Sequence, residues 1–335
     1  MILLLGLVLL SCIVTSIFMV PFIDLLFFLK RKFQSNQVSK NCSKTPIHDL
    51  LMKGDEATPS GGGILLIAIV SVLSIIYALF SSKIHISSLF ILLFTLLSFG
   101  GLGLIDDIKA IRQIRKGKFL GLGRKGMFLI QLFLALLIAS ALYYFIGLNN
   151  LYIPVLGNFI INWWYIPLAA FVIIAFSNAY NISDGLDGLS TGLLTICLFA
   201  FLSLASQSLD LTLASFIGIW IGTLFAYLYF NIWPARIFLG DAGAFGFGAT
   251  LAVVGLLTGK ILAVAIIGGV YVIIVASSLM QILSKKFLGK KILPVAPIHM
   301  YFKYIGWEEP KIVMRFWLAG ALLAIFGLWM AMISC

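Results

Sequence analysis

The chain has 335 residues, of which 62% are hydrophobic and only 10% charged, whereas about a quarter of the residues of soluble globular proteins are charged. The mean hydropathy of +1.13 and the net charge of +11 indicate an integral membrane protein with a basic face rather than a soluble one. No nucleic-acid motif accompanies the charge and the four cysteines lack paired spacing, which excludes a nucleic-acid partner, a disulfide frame and a zinc site.

Ten apolar runs have lengths near the ~20 residues that a helix needs to cross a bilayer. They predict an all-α integral membrane protein, organised as a single domain over residues 1–335. In chain order the runs are 2–29, 62–80, 89–105, 127–146, 166–176, 189–205, 211–230, 242–258, 261–283 and 316–333. Lys30, Arg31 and Lys32 follow the first run as a stop, so we expect this helix to be retained rather than cleaved as a signal peptide.

The basic residues predict the orientation, because short cytoplasmic loops of membrane proteins carry an excess of lysine and arginine. With the N-terminus outside, all of the 23 basic residues except Lys83 and Lys260 fall in cytoplasmic segments. Both termini are then expected outside, and the basic inner face favours contact with anionic headgroups of the lipid bilayer.

The first cytoplasmic segment ends in Thr58, Pro59, Ser60 and three glycines that open the second helix. Two interpretations stay open for this stretch. It is either a flexible entry to the helix, or an anion site made of Thr58 and exposed N–H groups at a helix N-terminus, with a lysine nearby.

Five of the twelve acidic residues stand at helix ends in apolar sequence, which requires a compensating cation or lysine if they are not simply exposed. The third run ends at Asp106 and Asp107, with Lys109 beyond them, and Asp241 precedes the eighth run. Between the fifth and sixth runs, two amides and two carboxylates recur at a spacing of three, which on helical turns places each pair on one face: Asn178, Asn181, Asp184 and Asp187. Helix capping by Asp187 and a turn shaped by Asp184 are the alternative interpretation.

The predicted orientation places all five carboxylates on the cytoplasmic side. Carboxylates with lysines, in the absence of a nucleophilic serine or cysteine motif, favour a Mg²⁺-assisted reaction of a phosphate compound. A membrane enzyme with this equipment is expected to join a cytosolic phosphate donor to a lipid acceptor.

These motifs resemble the polyprenyl-phosphate N-acetylhexosamine-1-phosphate transferases, and most closely their phospho-N-acetylmuramoyl-pentapeptide branch. The similarity covers nearly the whole chain and is carried by residues 58–63, 106–107, 178–189, 238–241 and 296–317. Two departures stand out. The branch has three consecutive histidines where this chain has His299, Met300 and Tyr301, and a methionine before the paired glycines where it has Gly61.

The resemblance implies an enzyme of the bacterial inner (plasma) membrane with a cytoplasmic active site, compatible with a homodimer. It would transfer phospho-MurNAc-pentapeptide from UDP-MurNAc-pentapeptide to undecaprenyl phosphate, giving lipid I and UMP for peptidoglycan, and so serve cell-wall synthesis, cell shape and cell division. Asp106, Asp107 and Asp241 would be catalytic, with Asp106 positioning or deprotonating the lipid phosphate, and Mg²⁺ would bind Asp241 and Asp184. The residues implied in substrate binding are Lys53, Thr58, Lys109, Asn178, Asn181, Asp184, Gly185, Leu186, Asp187, Asn231, Phe238, Gln281 and His299.

Within the last loop we expect His299 to keep the essential donor contact, Tyr301 to supply a hydroxyl and Met300 to be a packing residue. Three other functions stay open at this stage. A polyprenyl-phosphate GlcNAc-1-phosphate transferase would use a smaller donor, a secondary transporter would hold its carboxylates near the membrane midplane, and an inactive homologue would act as a scaffold.

Overall fold

The structure, a computed structural model, describes residues 2–34, 58–116, 123–154 and 156–333. Most of the described chain is helical. The helices are α1 (Ile2–Gln34), α2 (Gly62–Phe80), α3 (Ile86–Lys116), α4 (Arg124–Ala141), α5 (Tyr165–Ser183), α6 (Leu189–Gln207), α7 (Leu211–Asn231), α8 (Gly240–Leu257), α9 (Ile261–Ile267), α10 (Gly269–Phe287), α11 (Ile298–Tyr304) and α12 (Glu309–Met332).

Ten of the described helices are long and apolar enough to cross a membrane, which confirms the predicted number. All except α9 and the short α11 belong to this set. The side chains of α1 illustrate why: Leu9 and Ile13 are 63% and 60% exposed, an arrangement that suits lipid and not water. The protein is therefore a multi-pass, all-α membrane protein.

The predicted ninth span, residues 261–283, is wrong as a continuous helix. The helix α9 ends at Ile267, and α10 begins at Gly269 after the cap residue Gly268; paired small residues are a common site of helix breaks. A Cβ atom on Gly268 would lie 2.4 Å from a ring carbon of Phe176, so the break brings the backbone against α5. The helix that qualifies as a span is Gly269–Phe287.

A short β-hairpin between α4 and α5 was not predicted. Its strands β1 (Asn150–Ile153) and β2 (Gly157–Ile160) pair antiparallel, with Asn150 opposite Ile160. A π-helical turn, Leu142–Ile146, extends α4 toward the hairpin, and a 3₁₀ turn, Asn162–Trp164, leads from it into α5. The hairpin lies between the fourth and fifth predicted runs, where the sequence analysis assigned no element.

The helices α7 and α8 are the most deeply buried and form the centre of the bundle. The helix α8 packs against both α3 and α5. Close approach is possible because glycine stands at the contact: a Cβ atom on Gly103 of α3 would lie 2.1 Å from the carbonyl oxygen of Asp241, at the start of α8. This packing brings the ends of α3, α5 and α8 together at one end of the bundle.

Candidate active site

Four of the five carboxylates singled out in the sequence line one cavity of about 250 Å³, where several helices begin or end. Asp107 comes from α3, Asp184 and Asp187 from the turn between α5 and α6, and Asp241 from the first turn of α8. The complete lining of the cavity is Ser60, Asp107, Asn181, Asp184, Gly185, Leu186, Asp187, Asn231, Phe238, Gly240, Asp241 and Ala244. No lysine or arginine among the described residues contributes to it.

The N-terminus of α8 is held by a carboxylate from another helix. The two oxygens of Asp107 accept hydrogen bonds from the backbone N–H groups of Asp241 and Ala242, each at 3.1 Å. These N–H groups have no partner within their own helix, and a negative charge at this end is favourable. On the other side, the amide nitrogen of Asn181 donates to Oδ1 of Asp241 at 2.9 Å. Asp107 and Asn181 therefore set the position of Asp241.

The turn between α5 and α6 presents Asp184 to the cavity. The Ser190 hydroxyl donates to Oδ1 of Asp184, and Gly188 takes a φ of +73° that a side chain would disfavour. Burial raises the pKa of Asp184 to about 6, the Ser190 bond acts in the opposite direction, and the charges of Asp241 and Asp187 raise the pKa further. The carboxylates thus repel one another in a cavity to which no described lysine or arginine contributes.

Asp187 does not cap the helix that follows it. The N-cap of α6 is Gly188, and no side chain accepts a hydrogen bond there. Instead Oδ2 of Asp187 accepts from the backbone N–H of Ala235 at 2.8 Å. The N–H of Asp187 donates to Oε1 of Glu309, also at 2.8 Å. Glu309 was not identified from the sequence, although it lies within residues 296–317, which carry part of the family resemblance.

The proposed anion site at the start of α2 is wrong in its use of exposed N–H groups. The N–H groups of Gly61 and Gly62 both donate to the carbonyl of Phe238, and that of Gly63 donates to the carbonyl of Leu239. The hydroxyl of Thr58 likewise donates to the Ala235 carbonyl at 3.2 Å, so Thr58 does not line the cavity. These hydrogen bonds fasten residues 58–63 to residues 235–239. Within this stretch it is Ser60 that lines the cavity.

Two predicted substrate contacts point elsewhere. The amide of Asn178 donates to Oε1 of Gln131 on α4 at 3.0 Å, although Asn181, three residues on, faces the cavity. The amide of Gln281 donates to the Leu293 carbonyl and accepts from two backbone N–H groups of the same loop. Both amides thus have structural partners, and neither lines the cavity.

Three further predicted residues do not line the cavity or lie outside the described residues. Asp106 is half-buried on α3 but does not line the cavity. The Nζ of Lys109 is buried and has no hydrogen-bond partner among the described residues. Lys53 lies outside the described residues.

The last loop places one predicted residue against the cavity wall. His299 is 1% exposed, and its Nε2 would lie 3.1 Å from a Cβ atom on Gly185. Its neighbour Met300 is also 1% exposed and belongs to the hydrophobic core, which confirms its expected packing role. Tyr301 is half-buried.

Comparisons with known proteins identify the family of the chain. The sequence model of Glycosyl transferase family 4 matches residues 89–259. The phospho-N-acetylmuramoyl-pentapeptide-transferase of Bacillus subtilis is 34% identical over 81% of this chain and 83% of its own length. The proteins of the same name from Pelagibacter ubique and Desulforapulum autotrophicum are 35% and 33% identical, over 81% and 82% of this chain and 79% of each relative. The chain belongs to the phospho-N-acetylmuramoyl-pentapeptide transferase family.

Proposed function

We propose that the protein transfers phospho-MurNAc-pentapeptide from UDP-MurNAc-pentapeptide to undecaprenyl phosphate, releasing UMP and forming lipid I. The observation that carries the proposal is the single cavity in which Asp107, Asp184, Asp187 and Asp241 converge at the helix ends, in a member of this transferase family. An oxygen of the lipid phosphate attacks the phosphorus that bears the sugar. The bond from that phosphorus to the bridging oxygen breaks, and UMP leaves with the electron pair.

The residues of the cavity fit a magnesium ion. Four carboxylates without a described lysine or arginine among them would repel a pyrophosphate, and Mg²⁺ binds through one or two carboxylates plus phosphate oxygens. Among the described residues no cluster of three acidic or histidine side chains forms a metal cage of protein ligands alone, so substrate oxygens would complete the coordination. We assign Asp241 and Asp184 as the ligands. When bound, Mg²⁺ would neutralise the developing charge on the phosphates and the leaving UMP.

The protein's own residues orient this chemistry. Asp107 and Asn181 fix Asp241 from opposite sides, through the α8 backbone and through its side chain respectively. A preorganised carboxylate needs little rearrangement as charge develops, which lowers the barrier. The attacking phosphate is mostly dianionic at neutral pH if its second pKa is about 6, as for other phosphate monoesters, so its activation demands little of the enzyme. Asp106, at the edge of the cavity, would position it.

The uridine end of the donor would occupy the wall formed by Gly185, Leu186, Asp187, Asn231 and Phe238. Phe238 lines the cavity beside Ser60, with which it forms a parallel backbone bridge, and its ring offers a stacking face for uracil. Asn231 is held by a bond from its amide nitrogen to the Ile237 carbonyl at 3.0 Å. His299, behind Gly185, would contact the donor.

The reaction fits an inner-membrane enzyme whose cavity faces the cytoplasm, as the distribution of lysine and arginine indicates. The decisive experiment incubates the purified protein with undecaprenyl phosphate, Mg²⁺ and either UDP-MurNAc-pentapeptide or UDP-GlcNAc, and measures UMP and the lipid product. We expect UMP and lipid I with the muramoyl donor. Turnover of UDP-GlcNAc alone would instead assign a GlcNAc-1-phosphate transferase, and turnover of neither would refute the proposed activity.

A further inference from the structure

The loop that presents Asp184 and Asp187 to the cavity is held from outside by the C-terminal helix. The N–H of Asp187 donates to Oε1 of Glu309, a residue 122 positions away in sequence. Glu309 lies in the first turn of α12. It does not line the cavity, so it can act on a substrate only through the loop that it holds.

Glu309 is itself oriented by a second charged group. Its other oxygen, Oε2, forms a salt bridge of 2.7 Å with Nζ of Lys303, and the two side chains are only 11% and 19% exposed. A charge-assisted pair with little solvent access is more strongly defined than a surface pair. One oxygen of the Glu309 carboxylate therefore binds Lys303 and the other binds the N–H of Asp187. Rotation of the carboxylate would break both contacts.

The short helix α11, which carries Lys303, also contacts the loop at a second point. Lys303 and His299 both belong to α11 (Ile298–Tyr304) and lie four residues apart, on one face of the helix. His299 packs against Gly185, while Lys303 orients the residue that bonds Asp187. The turn is thus supported at its beginning and at its end.

We propose that Glu309 is a positioning residue for donor binding, which it serves by fixing the backbone of residues 184–187 through Asp187. This inference rests on the proposed function for its kinetic consequence but not for its structural one. Asp187 accepts from Ala235 with its carboxylate at the same time, so release of its N–H loosens the link between the turn and residues 235–238. The wall assigned to uridine would lose its fixed shape, while the α8 carboxylate Asp241 would keep its bonds to Asp107 and Asn181.

The first test reads the hydrogen bond directly and needs no substrate. Hydrogen–deuterium exchange of the peptide that contains Asp187 is compared in the wild type, Glu309→Ala and Glu309→Gln. A bond to a charged acceptor is strong enough that its loss should accelerate exchange roughly tenfold or more. We expect fast exchange in Glu309→Ala, an intermediate rate in Glu309→Gln, which keeps an acceptor oxygen, and no change in the peptide of Asp241. Equal exchange in all three proteins would overturn the inference, even if the proposed activity holds.

The second test separates positioning from a general loss of structure. Steady-state UMP release is measured with UDP-MurNAc-pentapeptide varied at saturating undecaprenyl phosphate, and then with the lipid varied. Glu309→Ala should raise the KM for the donor about tenfold or more, with a smaller change in kcat and no change in the KM for the lipid. Glu309→Gln should recover part of the loss, because it can still accept from Asp187.

The matched control is Glu308→Ala, since Glu308 is the adjacent glutamate, is exposed and makes no side-chain cap. It should behave as the wild type in both tests. An unchanged donor KM in a folded Glu309→Ala protein, or a Glu309→Gln variant as impaired as Glu309→Ala, would refute the positioning role. If the wild type releases no UMP, the proposed function fails while the exchange test still decides the structural claim.

Discussion

The substitution Asp107→Asn tests whether Asp107 acts through the helix that it caps. Both oxygens of Asp107 accept N–H groups at the start of α8. Asparagine has a similar shape but keeps one oxygen, and it turns an NH₂ group toward the other N–H. One hydrogen bond survives without its charge, and the second is replaced by a contact between two donors.

The expected cost follows from the bonds that change. A hydrogen bond to a charged group contributes about 1.5–3 kcal/mol and a neutral one about 1 kcal/mol, so the loss is about 2–5 kcal/mol. The substitution also relieves the repulsion of Asp107 by Asp106 and Asp241, which offsets part of this loss. We therefore expect a net loss at the lower end of the range, about 2 kcal/mol. If that free energy holds Asp241 in its productive position, kcat should fall about 30-fold.

The assay combines thermal unfolding of the purified protein in detergent, hydrogen exchange of the Asp241 and Ala242 amides, and UMP release. Asp107→Asn should lower the Tm by a few degrees, accelerate exchange at the start of α8 and reduce kcat. Asp106→Asn is the matched control, because Asp106 is adjacent, is of the same type and does not line the cavity. It should neither lower the Tm nor accelerate the exchange, whatever its effect on turnover. Unaltered protection at Asp241 and Ala242 in Asp107→Asn would refute the capping argument.

Three further predictions concern other residues of the cavity and its surroundings. Asp241→Asn should lower turnover about a hundredfold or more at limiting Mg²⁺ without lowering the Tm, because a metal ligand is lost while the bonds from its backbone N–H remain; near-normal activity would reject Asp241 as a ligand. His299→Ala should slow the reaction with the muramoyl donor about tenfold or more, whereas Tyr301→Phe should have a smaller effect, and equal rates in His299→Ala and the wild type would contradict the donor contact. Asn178→Ala should reduce stability by about 1 kcal/mol through loss of the bond to Gln131, with the donor KM unchanged; a raised KM would return Asn178 to the substrate site.

Much of the molecule was predictable because hydrophobicity is a local property. Each span must supply its own apolar length and satisfy its own backbone, so the ten runs in the sequence correspond to ten helices of spanning length in the described part of the chain. The acids at helix ends were predictable for the same reason, since a charge in apolar sequence is costly unless it is used. Four of those five acids share one cavity.

Other features depend on residues that are distant in sequence. The sequence predicted one continuous helix over residues 261–283, because hydropathy does not show that Phe176 packs against the backbone at Gly268. The spacing of three predicted that Asn178 and Asn181 share one face of α5. In the structure α5 packs against α4 and against α8, so the amide of Asn178 bonds Gln131 and that of Asn181 bonds Asp241.

The sequence by itself determined the class of protein, the number of its spans and the chemistry available at their ends, because these follow from composition and from motifs that are contiguous along the chain. Only the tertiary structure decided which polar groups remain for a substrate. Thr58, Gln281 and the amides of the glycines 61–63 are satisfied by backbone partners far along the chain or across a loop. Glu309 gains its importance in the same way, since a hydrogen bond to Asp187 exists only where α12 meets the turn after α5. Such pairings depend on how helices pack, and no local pattern encodes them.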